Sequence, residues 1–267
     1  MKWGITCFFE NRKDFELVID MAPRYPLKYL EIRGERPFFS PDDLQKEDVK
    51  FFQDVIQAAG LKITLHATFF DVNLSTFNSY LRKAVMDCYR KYLDLGEMIQ
   101  AEIMVVHAGQ IHRDAATCVG LLNLARNNLI ENLIELGDYG EKRGIKIGLE
   151  NSPPNPHRLM VYDWQSHVDI LRAVNHKNVG AVLDMAHAFL HGLSLQKYYE
   201  EIKKYLIEIH AHNNDGQTDL HQSMQRGKID YSGFFKTNRV NVPVIMEIRN
   251  IKEARESLEW IKQFDHV

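Results

Sequence analysis

The stretch VGAVLDMAHAFLHG, residues 179–192, decides how the chain is read. Residues 179–183 are apolar without alternation, the pattern of a parallel strand buried on both faces. Asp184 ends the run and His187 follows three residues later. A barrel strand needs neither group at its end. Asp184 is either the cap of the next helix, or one of several strand ends that converge on a metal site.

Seven further β-rich runs share this character: KWGITCF (2–8), KYLEIRG (28–34), KITLHA (62–67), EIMVVHAG (102–109), KIGLENS (146–152), LIEIHAHN (206–213) and VPVIMEIRN (242–250). Between them lie segments with apolar residues at helical spacing. In 42–60 an Asp-rich start precedes the stripe and Gly60 closes it, and 115–144 reads the same way up to Gly144. After 206–213 comes a polar loop, 213–230, and then a short helix. Strands apolar on both faces and separated by helices imply a parallel sheet. Eight such units in 267 residues match a closed (β/α)8 TIM barrel, an α/β fold. With no Pro/Ser-rich linker and no shift of composition, residues 1–267 are expected to form one barrel domain.

Apolar residues make up 45% and charged residues 26%, as in a water-soluble globular protein. The formal net charge of −3 provides no global field for nucleic acid or an anionic membrane. Cys7, Cys88 and Cys118 lie far apart, which argues against a disulfide framework and fits a reducing compartment. The N-terminus lacks signal-peptide character, and no run reaches the roughly eighteen apolar residues of a membrane span. A cytoplasmic protein is expected. Oligomeric state is left open, a homo-oligomer included.

The active site of a parallel barrel lies at the C-terminal ends of its strands. There stand His66, His107, Glu150, Asp184 with His187, His210 with His212 two residues on, and Glu247; the loop after the seventh long strand adds Asp219 and His221. Each has an ordinary explanation as a core His, a cap or a surface ion pair. Together they do not, because random placement of 12 His would not bring about half of them to one end of the barrel. Crowded carboxylates repel, and buried charge is costly. Divalent cations resolve both problems, and mixed imidazole and carboxylate donors suit Zn, Mn, Co or Fe. So many donors imply one to three ions, with Glu150 and Asp184 placed to bridge. The loops GERPFF (34–39) and TFFDVN (68–73) either line the pocket mouth or pack as ordinary loops, and ENSPPNPH (150–157) is a stiff loop beside Glu150. No GxGxxG, P-loop or GxSxG is present.

The segments LHATFFDVNLS, VVHAGQ, GLENSPP, VGAVLDMAHAFLHG, HNNDGQTDLHQSMQRGKIDYSGFF and VIMEIRN, in this order, resemble the xylose isomerase-like TIM barrels, which include endonuclease IV and many sugar isomerases and epimerases. By that resemblance His66, His107 and Glu150 hold one ion. Glu150, Asp184, Glu247 and a His of 206–213 hold a second, with His210 favoured by its spacing to DLH and His212 by direct alignment of HNND. His187, Asp219 and His221 hold a third.

The resemblance implies a metal-dependent isomerase or epimerase of a sugar, sugar phosphate or keto-polyol, a small polyhydroxylated substrate. Glu150 and Glu247 exchange the proton through an enediolate. Arg33, Arg36 or Lys228 receives a phosphate, and Phe69 borders the substrate. The alternative is an apurinic-site endonuclease with zinc. The six-residue loop between His212 and Asp219, and Phe69 where those nucleases tend to have Tyr, favour the sugar.

Overall fold

The computed structural model describes residues 1–8 and 11–264, and of Cys7 the backbone alone. Its strands are β1 (Lys2–Cys7), β2 (Leu27–Arg33), β3 (Lys62–His66), β4 (Ala101–His107), β5 (Gln110–Ile111), β6 (Lys146–Glu150), β7 (Arg158–Leu159), β8 (Val179–Asp184), β9 (Leu206–Ala211) and β10 (Pro243–Ile248). Its α-helices are α1 (Arg12–Met21), α2 (Lys46–Ala59), α3 (Ser79–Met98), α4 (Val119–Glu141), α5 (Trp164–Val174), α6 (Met185–Leu190), α7 (Leu195–Ile202), α8 (Tyr231–Thr237) and α9 (Ile251–Ile261). Eight strands close a parallel barrel in the order β1-β10-β9-β8-β6-β4-β3-β2. This is the expected (β/α)8 architecture. The two-residue strands β5 and β7 pair antiparallel beside it and are too short to leave a periodic signal.

Local chemistry explains the boundaries. Gln45 caps α2 and Gly60 ends it at φ 65°, a left-handed conformation open to glycine at little cost. The aromatic stripe of α2 packs inward. Phe52 meets Phe15, Phe38 and Phe39 edge to face at ring separations of 5.1–5.4 Å. Phe38 and Phe39 are therefore core, so this part of GERPFF packs under the helices and does not line the mouth.

Side chains alternate between the two faces of a strand. Ile103 and Val105 share a face with His107, and Val182 shares one with Asp184. With partly buried Ile207 these apolar residues form a separate cluster that fills the barrel below the polar end. The interior is tight: a Cβ on Gly148 would come 2.5 Å from Val182 Cγ2. Strand register levels the polar residues above it. Arg33 pairs with His66, His107 with Glu150, Asp184 with His210, and Thr6 with Glu247. Cys88 and Cys118 are free thiols, while the side chain of Cys7 lies outside the described residues. Among the described residues no helix is long and apolar enough to cross a membrane.

Candidate active site

Ten side chains from seven segments meet at the C-terminal mouth of the barrel. Three of the histidines are oriented by backbone carbonyls. His66 Nδ1 donates to the Ala67 carbonyl at 2.9 Å, His187 Nδ1 to the Asn151 carbonyl at 2.8 Å, and His221 Nδ1 to the Glu247 carbonyl at 3.2 Å. Each is thereby turned with Nε2 toward a carboxylate. His66 Nε2 lies 3.1 Å from Glu150 Oε2, and His187 and His221 Nε2 lie 3.4 and 3.3 Å from Asp219 Oδ2. A bare imidazole nitrogen and a carboxylate oxygen are both acceptors, so a proton or a cation must stand between them.

The donors fall into groups whose ligand atoms lie within 4.8 Å of one another. His66, His107 and Glu150 form one group, with His107 Nε2 2.8 Å from Glu150 Oε2. Glu150, Asp184, His210 and Glu247 form a central one. There His210 Nδ1 lies 3.4 Å from Glu150 Oε1 and 3.6 Å from Glu247 Oε1. His187, His212, Asp219 and His221 form an outer group. The structure thus brings His210 into the central group and His212 into the outer one, and the sequence did not separate the two. His212 and His221 stack at 3.8 Å, and His221 sits at φ 49°, an uncommon conformation for a residue other than glycine.

Asp184 caps the next helix and also stands among the converging strand ends. Its Oδ1 accepts the His187 backbone N–H at 2.6 Å as the cap of α6, and Oδ2 faces His212 Nε2 at 3.1 Å. Asn151 fixes it from the side, donating Nδ2–H to the Asp184 carbonyl and accepting the Asp184 N–H, both at 2.9 Å.

The electrostatics follow from burial against dense countercharge. Burial raises the Glu150 carboxyl, but His107 and His210 outweigh it and hold Glu150 well below the usual carboxylate range. Burial likewise opposes ionisation of Glu247, and His210, His221 and Arg33 hold it low. Burial pulls His187 down, yet Asp184, Asp219 and Glu150 push it up to about 10. Burial lowers His210 too, and Glu31, Glu247 and Glu150 raise it well above the ordinary imidazole value. The histidines divide: against burial, the carboxylates around His66 and His212 raise them as well, whereas burial prevails at His107 and His221 and lowers both. Glu247 Oε1, Asp219 Oδ1 and His212 Nδ1 are buried and make no hydrogen bond among the described residues.

The expected phosphate-binding residues separate. Arg33 is buried, 3.6 Å from Glu247 Oε1 and stacked 4.1 Å over the Phe8 ring. Arg36, three residues on, has left the strand; it is exposed and bound to Asp43 at 2.5 Å. Lys228 is exposed on the loop after β9. Phe69 stacks on the His107 ring at 4.4 Å and 9°.

A cavity of about 390 Å³ opens beside this stack, within the range of ligand clefts. Phe69, Phe70 and Asn73 line it on one side and Ser152, Pro153 and Asn155 on the other, with no Lys or Arg in its lining. Both TFFDVN and ENSPPNPH thus shape the pocket, whereas Arg36 and Lys228 lie outside it. Glu35 was missed in the sequence: it takes the Thr68 hydroxyl at 2.7 Å and the Phe69 N–H at 2.9 Å, and so anchors the Phe69 loop. Glu31 and Glu208, fully buried beneath His210, were also missed.

Comparison with known proteins gives one consistent fold. A D-tagatose 3-epimerase-like protein superposes with a TM-score of 0.82 at 24% identity, over 99% of this chain and 97% of its own. An uncharacterized protein of Methanocaldococcus jannaschii is 27% identical over 227 residues, 83% of this chain and 76% of its own length. Fructoselysine 3-epimerase of Escherichia coli O157:H7 is 22% identical over 235 residues, 86% of this chain and 82% of its own. A family profile for xylose isomerase-like TIM barrels matches residues 19–264, and the chain belongs to that family.

Proposed function

We propose that this protein is a divalent-metal-dependent epimerase or isomerase of a ketose or related keto-polyol. The observation that carries the reading is the central group, in which Glu150 and Glu247, three strands apart around the barrel, share buried His210 and Asp184. The two curated or solved relatives named for 3-epimerases support it.

The residues fit a cation. Two donors about 2.1 Å from one ion stand about 3.4 Å apart in a tetrahedron, and His210 Nδ1 is 3.4 and 3.6 Å from the two glutamates. Glu247 Oε1 makes no hydrogen bond among the described residues, so its lone pairs are open to a cation. Glu150, Asp184, His210 and Glu247 would hold the metal, and their mixed oxygen and nitrogen set suits Mn²⁺ or Zn²⁺. Bound there, a cation supplies Lewis acidity toward the ketone and an adjacent hydroxyl.

The chain's own residues do the rest. Glu150 and Glu247 are held ionised, so either is prepared to accept the proton from the carbon beside the ketone. The other carboxylate, having taken a proton from the substrate hydroxyl, delivers it to the opposite face of that carbon, and the first returns its proton to the alkoxide, which inverts the centre and restores both carboxylates. Arg33 beside Glu247 keeps one carboxylate charged, and the Phe69–His107 stack closes one wall against water. The cavity lining carries Asp71 and no Lys or Arg, which favours an uncharged polyol over a phosphate ester.

A second reading, hydrolysis of the phosphodiester at an abasic DNA site, draws on the presence of three donor groups where an epimerase needs one. Metal analysis of the purified protein, followed by paired assays on a panel of ketoses and on an abasic-site duplex, separates the two. Epimerisation that stops on chelation supports the first reading. Duplex cleavage with no sugar turnover replaces it with the second.

A further inference from the structure

Beneath the central group the barrel holds two more carboxylates. Glu31 on β2 and Glu208 on β9 are both fully buried. His210 Nε2 lies 3.0 Å from Glu208 Oε1, a hydrogen bond, and 3.2 Å from Glu31 Oε2. Both oxygens of Glu31, and Oε2 of Glu208, make no hydrogen bond among the described residues. Carboxylates buried beside an apolar layer are costly unless a donor faces them. The edge of the His210 ring is the donor to Glu208, and Glu31 lies beside the same nitrogen.

The opposite edge of that ring carries Nδ1, which faces Glu150 and Glu247. An imidazole committed to Nε2–H on one side offers a bare Nδ1 on the other once a metal displaces the second proton. The strand geometry favours this division. Glu208 and His210 are two residues apart, so they share the inner face of β9, and Glu208 is the lower of the two.

We propose that Glu208 and Glu31 are positioning residues: Glu208 takes the His210 Nε2–H from below, Glu31 stands beside that nitrogen as a second carboxylate, and together they fix the tautomer and aim Nδ1 into the cation-binding group. The proposal rests on the reading of His210 as a ligand. It also assigns the lower carboxylates no cation of their own, because Nε2 cannot carry a proton and bind a metal at once.

Two measurements test it. In ¹⁵N-histidine-labelled protein, His210, identified by its absence in His210→Gln, should show a downfield Nε2–H signal both metal-free and Zn²⁺-loaded. Absence of that proton in either state overturns the proposal. The second compares two double variants, Glu31→Leu/Glu208→Leu and Glu31→Gln/Glu208→Gln, by Mn²⁺ titration and melting. Replacing buried carboxylates by apolar groups of similar volume is often neutral or stabilising. The Leu pair should melt no lower than wild type yet bind Mn²⁺ about 10- to 100-fold more weakly, the usual scale for groups that orient a ligand. The Gln pair keeps amide oxygens as acceptors and should lose less. Unchanged affinity in the Leu pair, or one cation fewer bound than in wild type, overturns the proposal. If wild type takes up no Mn²⁺, the functional reading falls, while the metal-free Nε2–H signal still decides what the two carboxylates do.

Discussion

Glu247→Gln separates chemistry from structure at the proposed centre. The substitution keeps volume and one acceptor oxygen and removes the charge and the basic site. Two structural effects oppose each other. Arg33, 3.6 Å away, loses a carboxylate partner, but it stays stacked over Phe8 and faces Phe69 at 5.6 Å. Glu150, which crowds Glu247, loses a like charge. The melting temperature should therefore stay near that of wild type. Metal affinity should fall only in part, because Glu150, Asp184 and His210 remain. Turnover should fall by about 10²-fold or more, the scale of a positioned acid–base group, or about 2.7 kcal/mol on the barrier. The assay is ketose epimerisation, bound metal and melting on one preparation. A sharper readout is exchange with D₂O: one epimer, deprotonated by Glu150, should still wash in deuterium without converting. Full turnover at full metal occupancy would remove Glu247 from the chemistry.

Further expectations concern other parts of the site. Phe69→Ala removes the stack on His107 and one wall of the cavity, so KM for the ketose should rise about tenfold with a smaller change in kcat; an unchanged KM would place the substrate elsewhere. Chelation should lower the melting temperature, since a ligand at about 1,000 times its Kd contributes about 4 kcal/mol; no shift on adding back Mn²⁺ or Zn²⁺ would speak against a built metal site. His187, pushed up to about 10, carries a proton at neutral pH that outer-group metal binding must expel. Uptake there should release protons and weaken as pH falls, read by calorimetry in buffers of different ionisation heat. His167 is buried, and burial lowers it from 6.5 to about 4. Between those values the unfolded chain binds the extra proton, so stability falls as pH drops through this window, by about 2 kcal/mol from pH 7 to pH 5. His167→Gln should flatten that slope in urea denaturation, and an unchanged slope would assign it to other groups.

What the sequence disclosed followed from contrast. Asp184, Glu150 and Glu247 each end an apolar run, where a charge is conspicuous, and barrel geometry carries every such end to one mouth. Glu31 and Glu208 were not legible for the same reason reversed. They lie inside strands, flanked directly by apolar residues, and do not end an apolar run; the one signal was the polar residue two positions on, Arg33 after Glu31 and His210 after Glu208. Arg33 and Arg36 look equivalent in the sequence. One is the last residue of β2 and faces the barrel axis, while the other has turned into solvent. The strand register also separates His210 from His212, since residues two apart share a face but stand at different heights. Glu35 acts through a loop contact 34 residues away, which no local spacing encodes.

The most direct measurement is deuterium incorporation. Protein loaded with Mn²⁺ is incubated in D₂O with a panel of ketoses, and the carbon beside the ketone is read by NMR. Proton transfer between Glu150 and Glu247 predicts deuterium at that carbon, a new epimer appearing with it, and loss of both on chelation. No exchange into any ketose by fully loaded protein, with an abasic-site duplex cut by the same sample, would contradict the epimerase reading and make the cluster a phosphodiesterase centre.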